Sequence, residues 1–235
     1  YTIETLVEKA ARELDMDPAE IRMKNFPTQF PFQQTLVHSV DSGDYVTGLN
    51  KAMEVADYKG FEKRKRDSAA KGKLRGIGLC SYFEACGIAP SPVVMMLGCG
   101  IGLWESAEVR FNPTGNVTVF TGSHSHGQGH DTTFAQIAAD QLGVPLENIE
   151  ISHGDTDKGP FGYGTYGSRS LTVGGTAIVK ACDKIIAKGK RVAAKMLEAN
   201  VDDVEFSNGE FVVAKSNKKK TIGEIAFACY LPGTY

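Results

Sequence analysis

No stretch of this 235-residue chain approaches the roughly 18 consecutive apolar residues that a membrane-crossing helix requires, so no such helix is expected. Charge of one sign is also scarce. The 26 Lys and Arg nearly balance the 28 Asp and Glu, leaving a net charge of −2 and no electrostatic case for nucleic acid or an anionic membrane. The five cysteines, Cys80, Cys86, Cys99, Cys182 and Cys229, are odd in number and contain no C-x-x-C pair. That argues against a disulfide framework and a zinc knuckle, and leaves buried, reduced thiols in a reducing compartment as the expectation. No G-x-S-x-G nucleophile elbow and no internal repeat occurs. The start, YTIETLVEKAARELDMD, lacks the plan of a secretion signal and an initiator Met, and the end stops just after an apolar run. Those edges suggest a piece of a longer chain.

What is present is globular: 42% of residues are hydrophobic and 23% charged. Ile3, Leu6, Val7, Ala10, Ala11 and Leu14 form one helical stripe over residues 2–16. Asp17-Pro18 then reads as a cap and first position of a short helix. A proline- and aromatic-rich crossing occupies 26–43. A helix is expected from Asp44 to Tyr58, extending through the charged run at 59–73 as a solvated helix or linker.

Beyond residue 73 the character changes. RGIGLCSYFEAC at 75–86 reads as a strand. Residues 102–111 and 116–121 alternate apolar and polar around Pro113-Thr114-Gly115, a hairpin signal. A helix at 131–142, a strand at 149–152, a long helix at 170–199 and a hairpin at Asn208-Gly209 follow. Thr221 and Glu224 have capping-box spacing before a last helix. The expectation is a helical leader at 1–73 and a body at 74–235 of the α+β class, with helices packed on a largely antiparallel or mixed sheet.

Two loops could carry chemistry. GSHSHGQGHDTT, Gly122 to Thr133, joins a strand to a helix start. There, unpaired backbone N–H groups and the positive end of the helix dipole favour an anion. Gln128 offers both a donor and an acceptor, which suits a neutral heterocycle better than a bare phosphate. GDTDKGPFGYGTYGSRS, Gly154 to Ser170, has five glycines and gathers hydroxyls and one guanidinium at a second helix start. Together they could form two sides of a large polyphosphate- or pterin-like pocket. Two ordinary capped helix starts are the plainer alternative.

Sharper motifs fail on spacing. His124, His126 and His130 invite a metal, but the binuclear pattern H-x-H-x-D-H needs Asp and His where Gln128 and Gly129 stand. Gly98, Gly100 and Gly102 resemble a dinucleotide fingerprint, yet Leu103 holds the third glycine's place and strand-like residues follow. Glu84 with Cys86, and His153 with Asp155, are weak catalytic pairs beside ordinary core and loop readings. A histidine-based metal-dependent hydrolase and a noncatalytic subunit-interaction domain stay as alternatives.

The two loops, G-S-H-S-H-G-Q-G-H-D-T-T-F-A-Q-I and H-G-D-T-D-x-x-P-F-G-x-G-T-Y-G-S-R-S, resemble the molybdenum-binding large subunits of the xanthine dehydrogenase/aldehyde oxidase family, especially the aerobic carbon monoxide dehydrogenases. The segments L-D-M-D-P-A-E-I-R-M-K-N-F at 14–26, D-S-G-D-Y at 41–45 and G-I-G-L-C-S-Y-F-E-A-C-G-I-A-P-S at 76–91 extend the resemblance along nearly the whole chain. The resemblance implies an oxidoreductase and the cofactor molybdopterin cytosine dinucleotide with molybdenum. Gly127, Gln128 and Gly129 would lie against the pterin, His130 and Thr132 would add contacts, and Thr165, Tyr166, Gly167, Ser168, Arg169 and Ser170 would supply donors from another side. It further implies a cytoplasmic assembly with an iron–sulfur small subunit, an FAD-binding medium subunit and the remainder of a longer large subunit. No segment matches the family's G-E base motif or the copper-binding cysteine loop, so the resemblance leaves carbon monoxide, aldehydes and heterocycles as substrates and implies an inactive fragment.

Overall fold

The computed structural model describes residues 1–34, 39–87, 91–96, 98 and 100–233. The chain divides into two compact units, Tyr1–Glu84 and Ala85–Tyr235.

In the first unit, helices α1 (Thr2–Glu13) and α2 (Pro18–Asn25) are joined at Asp17, whose Oδ1 accepts from the backbone N–H groups of Ala19 at 2.7 Å and Glu20 at 3.2 Å. This satisfies two of the donors a helix start leaves open. Arg22 is buried and fastens the pair: its Nη2 lies 2.7 Å from Glu4 Oε2 and 3.1 Å from Glu8 Oε1, and donates to the Leu79 carbonyl at 3.0 Å. Two-residue strands β1 (Phe32–Gln33) and β2 (Ser39–Val40) pair antiparallel. Helix α3 (Tyr45–Val55) does not run on through the charged segment. Asp57 adopts a left-handed conformation at φ 45°, and a separate α4 (Phe61–Ala69) follows.

The strand expected at 75–86 does not form; residues 73–86 run without regular structure and are largely exposed. A strand's backbone groups need a neighbour to pair with, and this stretch pairs with no described strand. The same exposure corrects the expectation of buried thiols. Cys80 and Cys86 are exposed, Cys229 is half-buried, and Cys182 is fully buried, with burial pushing its thiol up to about 12. Cys99 lies outside the described residues.

The second unit holds α5 (Ser91–Met96), β3 (Ala107–Phe111), β4 (Val117–Thr121), α6 (His130–Leu142), β5 (Ile149–Ser152), α7 (Thr176–Met196), β6 (Val204–Ser207), β7 (Glu210–Val213), β8 (Lys219–Thr221) and α8 (Ile222–Ala228). Strands β3 and β4 pair antiparallel, with Val109 opposite Val119. Strands β4 and β5 pair parallel, with Val119 opposite Ile151, so this sheet is mixed. A parallel pair needs a crossover, and α6 supplies it. The second sheet, β6-β7-β8, is antiparallel, and its first turn is Asn208-Gly209, both at positive φ. Val117, Val119, Phe134, Leu142, Ile178, Cys182, Val192 and Phe211 fill one core between both sheets and α6 and α7. The long helix expected at 170–199 opens differently: a π-helical turn spans Ser170–Gly175 before α7 begins. Thr221 and Glu224 form the capping box at α8, with Glu224 Oε2 accepting from the Thr221 N–H at 2.8 Å and Thr221 Oγ1 accepting from the Glu224 N–H at 3.2 Å.

Candidate functional site

The first glycine-rich loop leaves β4 at Thr121 and ends in α6. Gly129 is the N-cap at φ 77°, and among the described residues no side chain caps the helix. Gly127 stands at φ 112°, where a residue with a Cβ would be strained. Around both glycines the space a Cβ would enter is open to 4 Å among the described residues. Backbone is therefore presented outward at the positive tip of a 13-residue helix. Gln128 Oε1 accepts from the His126 N–H at 2.7 Å, which fixes the side chain's acceptor end inside the turn. Thr132 is exposed, and its N–H donates to the Gly129 carbonyl at 3.1 Å.

His130 is buried and stacks on Phe134, with ring centroids 4.9 Å apart. Its Nδ1 is buried and has no hydrogen-bond partner among the described residues. Burial, aided by the neighbouring His153 and His126, pulls its pKa below the usual histidine value.

The second loop is built inward. Arg169 is fully buried. Its Nη1 lies 3.0 Å from Glu105 Oε2 and donates to the Gly164 carbonyl at 2.6 Å, while Nη2 donates to the Trp104 carbonyl at 2.8 Å. The guanidinium also sits over the half-exposed Tyr166 ring, 5.3 Å from its centroid. Four of its five N–H groups are thus directed at the loop and at residues 103–105, and Nε is buried without a partner among the described residues. Ser170 Oγ donates to Thr165 Oγ1 at 2.8 Å. Gly167 and Ser168 both have positive φ, and the Ser168 carbonyl accepts from the Gly87 N–H at 3.2 Å.

The structure brings the bases of the two loops together. A Cβ on Gly122 would stand 2.5 Å from Gly162 Cα, and one on Gly162 would stand 2.7 Å from Gly122 Cα, so here glycine serves close backbone packing. Gly174, in the π-helical turn, presses on Ser123: its Cβ would lie 2.6 Å from Ser123 Oγ. Glu105 is the residue the sequence reading missed. Its side chain is fully buried, its Oε2 accepts from Ser123 Oγ at 3.2 Å as well as from Arg169, and its Oε1 accepts from the Ser106 N–H at 3.1 Å. An acidic residue between Trp104 and the start of β3 was its only local signal.

The histidines lie near one another without forming a metal centre. His124 and His126 rings are 6.2 Å apart and His124 and His153 rings 5.4 Å apart. Among the described residues, no three His, Cys, Asp or Glu side chains gather so as to hold a metal ion. His153 faces Asp131, with Nε2 3.3 Å from Oδ1, while Asp155 instead accepts from the Asp157 N–H at 3.0 Å. Gly102 leads through irregular backbone into β3 and not into a helix, so the dinucleotide fingerprint lacks its helix. A groove lined by Phe111, Ile185, Ile225 and Tyr230 lies between β3, α7 and α8 and includes no residue of either loop.

The donor set at the first loop suits a ligand with both phosphate and hydrogen-bonding heterocycle. It combines an uncapped helix tip, accessible backbone at two glycines, the Gln128 amide and one orphaned buried imidazole nitrogen. Asp131 in the first turn opposes an anion there. The profile of the molybdopterin cofactor-binding domain matches residues 51–234. The carbon monoxide dehydrogenase large chain of Hydrogenophaga pseudoflava is 42% identical over 98% of this chain and 29% of its own length. The solved CO dehydrogenase from Oligotropha carboxidovorans is 40% identical and superposes with a TM-score of 0.70, over 97% of this chain and 29% of that one. Quinoline 2-oxidoreductase from Pseudomonas putida 86 is 36% identical with a TM-score of 0.74, over 99% of this chain and 30% of that one. The chain therefore spans about three tenths of the length of these relatives. The profile match over residues 51–234 and these identities place the chain in the molybdopterin cofactor-binding domain family, within the molybdenum-binding large subunits of the xanthine dehydrogenase/aldehyde oxidase type.

Proposed function

We propose that residues 74–235, preceded by a helical leader at 1–73, bind molybdopterin cytosine dinucleotide in the large subunit of a carbon monoxide dehydrogenase-like molybdenum hydroxylase. The observation that carries the reading is the meeting of both glycine-rich loops at Gly122 and Gly162, beneath an open, uncapped helix start. Gly127, Gln128 and Gly129 would lie along the pterin, and the first turn of α6, with His130 and Thr132, would take an anionic or hydrogen-bonding edge. Thr165, Tyr166, Gly167, Ser168 and Ser170 would flank it from the second loop. Arg169 would act from beneath, since its guanidinium is turned to Glu105 and backbone carbonyls. When bound, the group supplies the molybdenum centre at which oxygen from water reaches a substrate. This chain's residues hold and orient the group and shield it.

The substrate is carbon monoxide, an aldehyde or a heterocycle, in keeping with similarity to both CO dehydrogenase and quinoline 2-oxidoreductase. Electrons would leave through an iron–sulfur small subunit and an FAD-binding medium subunit, and the remainder of the large subunit would cover the open loops. The test is direct. The full-length protein, matured with its native flanks, is assayed for molybdenum and for cytidine nucleotide released by acid. Near one of each per large subunit is expected, and a matured protein containing neither overturns the proposal.

A further inference from the structure

Glu105 has no cofactor contact in the reading above, yet it touches residues of both loops. It precedes Ser123 by 18 residues and Arg169 by 64, and binds both through one carboxylate oxygen. Its carboxyl carbon would lie 2.6 Å from a Cβ on Gly162, so the side chain fills the angle where the loop backbones meet. Ser106 Oγ donates to the Phe161 carbonyl, adding a neighbouring tie to the same loop. We propose that Glu105 is a positioning residue: with Arg169 it forms a buried latch that makes the two cofactor loops hold, and open, as one unit.

The argument is electrostatic. Both side chains of the pair are 0% exposed. A buried charge deprived of its partner is strongly destabilised, because neither water nor the protein then compensates it. If the second loop lifted away with Arg169, the Glu105 carboxylate would stay behind uncompensated. If residues 103–106 moved out with Glu105, they would take the Ser123 hydrogen bond and strand Arg169. Opening the second loop alone breaks the ion pair, and opening the first alone gives up the Ser123 hydrogen bond to the same carboxylate, so concerted opening is the cheapest route. This inference rests on the proposed cofactor role for the loops, but the coupling itself is readable without cofactor.

The experiment uses the full-length protein, as apoprotein and as matured enzyme, comparing wild type with Glu105→Gln and Ser123→Ala. Amide hydrogen exchange is followed in peptides covering 122–129, 160–169 and, as a remote reference, 204–213. In Glu105→Gln the first two should exchange at least tenfold faster together, with the third unchanged. In the matured enzyme, molybdenum and cytidine nucleotide should dissociate at least tenfold faster during dialysis. A residue that merely stabilised the fold would speed all three peptides alike. Loosening of one loop alone, or of neither, overturns the latch. Loosening of both with unchanged cofactor dissociation overturns the positioning role. If Glu105→Gln loosens the whole protein, Ser123→Ala decides, since it removes one hydrogen bond and leaves the ion pair. Faster exchange in both loops then supports the latch, and unchanged exchange overturns it. A wild type matured without any cofactor defeats the proposed function and with it the positioning role.

Discussion

The two glycine-rich loops look alike as strings and differ as structures. In the first, Gly127 and Gly129 sit at positive φ with open space around them, and the helix start beyond them is uncapped. In the second, Gly162 is pressed against Gly122, and Arg169 turns inward to a buried carboxylate and three carbonyls. Glycine thus does two jobs here. At Gly127 and Gly129 it leaves backbone open, and at Gly162 it lets two backbones touch. On the proposed reading, the first loop would offer recognition groups and the second the rigid support that recognition needs.

The most severe way to break this contrast is Arg169→Met. It leaves Glu105 buried without its partner, and losing one half of a buried ion pair costs roughly 3–5 kcal/mol. Exchange-derived opening energies of peptides 122–129 and 160–169 in the full-length protein should fall by about that amount. A drop under about 1 kcal/mol would mean that water already reaches the pair. Next comes Gly162→Ala, which forces a methyl group against Gly122 and Glu105. Overpacking of this kind costs about 1–3 kcal/mol, read in the same peptides. Gly127→Ala sharpens the comparison from the other side. It meets no neighbour, so its stability penalty is limited to backbone strain of about 1–2 kcal/mol. Its larger effect should be on molybdenum content of the matured protein, measured by metal analysis. If Gly162→Ala and Gly127→Ala shifted stability and metal content in the same ratio, the division of labour between the loops would be wrong.

How much of this was legible depended on distance along the chain. The Asn208-Gly209 turn, the capping box at Thr221 and Glu224 and the Asp17 cap were all readable, because each is decided by residues within four positions of one another. A largely antiparallel or mixed sheet was expected from the order of elements, and the parallel β4–β5 pair makes the first sheet mixed. Residues 75–86 have the local pattern of a strand, but pairing is a property of two segments and no described strand pairs with them. The π-helical opening at Ser170–Gly175 was likewise hidden, because Gly174 is shaped by contact with Ser123 in the other loop. Glu105 was the largest omission: its meaning lies in a partner 64 residues away. The loops' candidate residues were legible as a list, whereas their division into outward and inward groups was not.

The subtlest expected difference is in pH. His130 opens α6 in the first loop, buried and with its pKa lowered mainly by that burial, whereas residues 154–170 of the second loop contain no histidine. Below about pH 6.5 the unfolded chain takes up a proton that folded His130 still refuses. The unfolded state then binds more protons, so stability falls as pH drops from about 6.5 toward the lowered folded value, and levels off below it. The slope attributable to one group cannot exceed about 1.4 kcal/mol per pH unit. His124, His126 and His153 lie close by, so the useful quantity is the difference between wild type and His130→Phe, which keeps a ring stacked on Phe134. Exchange in the first turn of α6, followed from pH 7.5 to 5.5, should lose part of its acid sensitivity in this variant. Peptide 160–169 should respond less than the α6 turn, and only through the latch. Identical pH slopes in wild type and variant would show that the buried nitrogen finds an acceptor when protonated, and that the first loop is as well supported as the second.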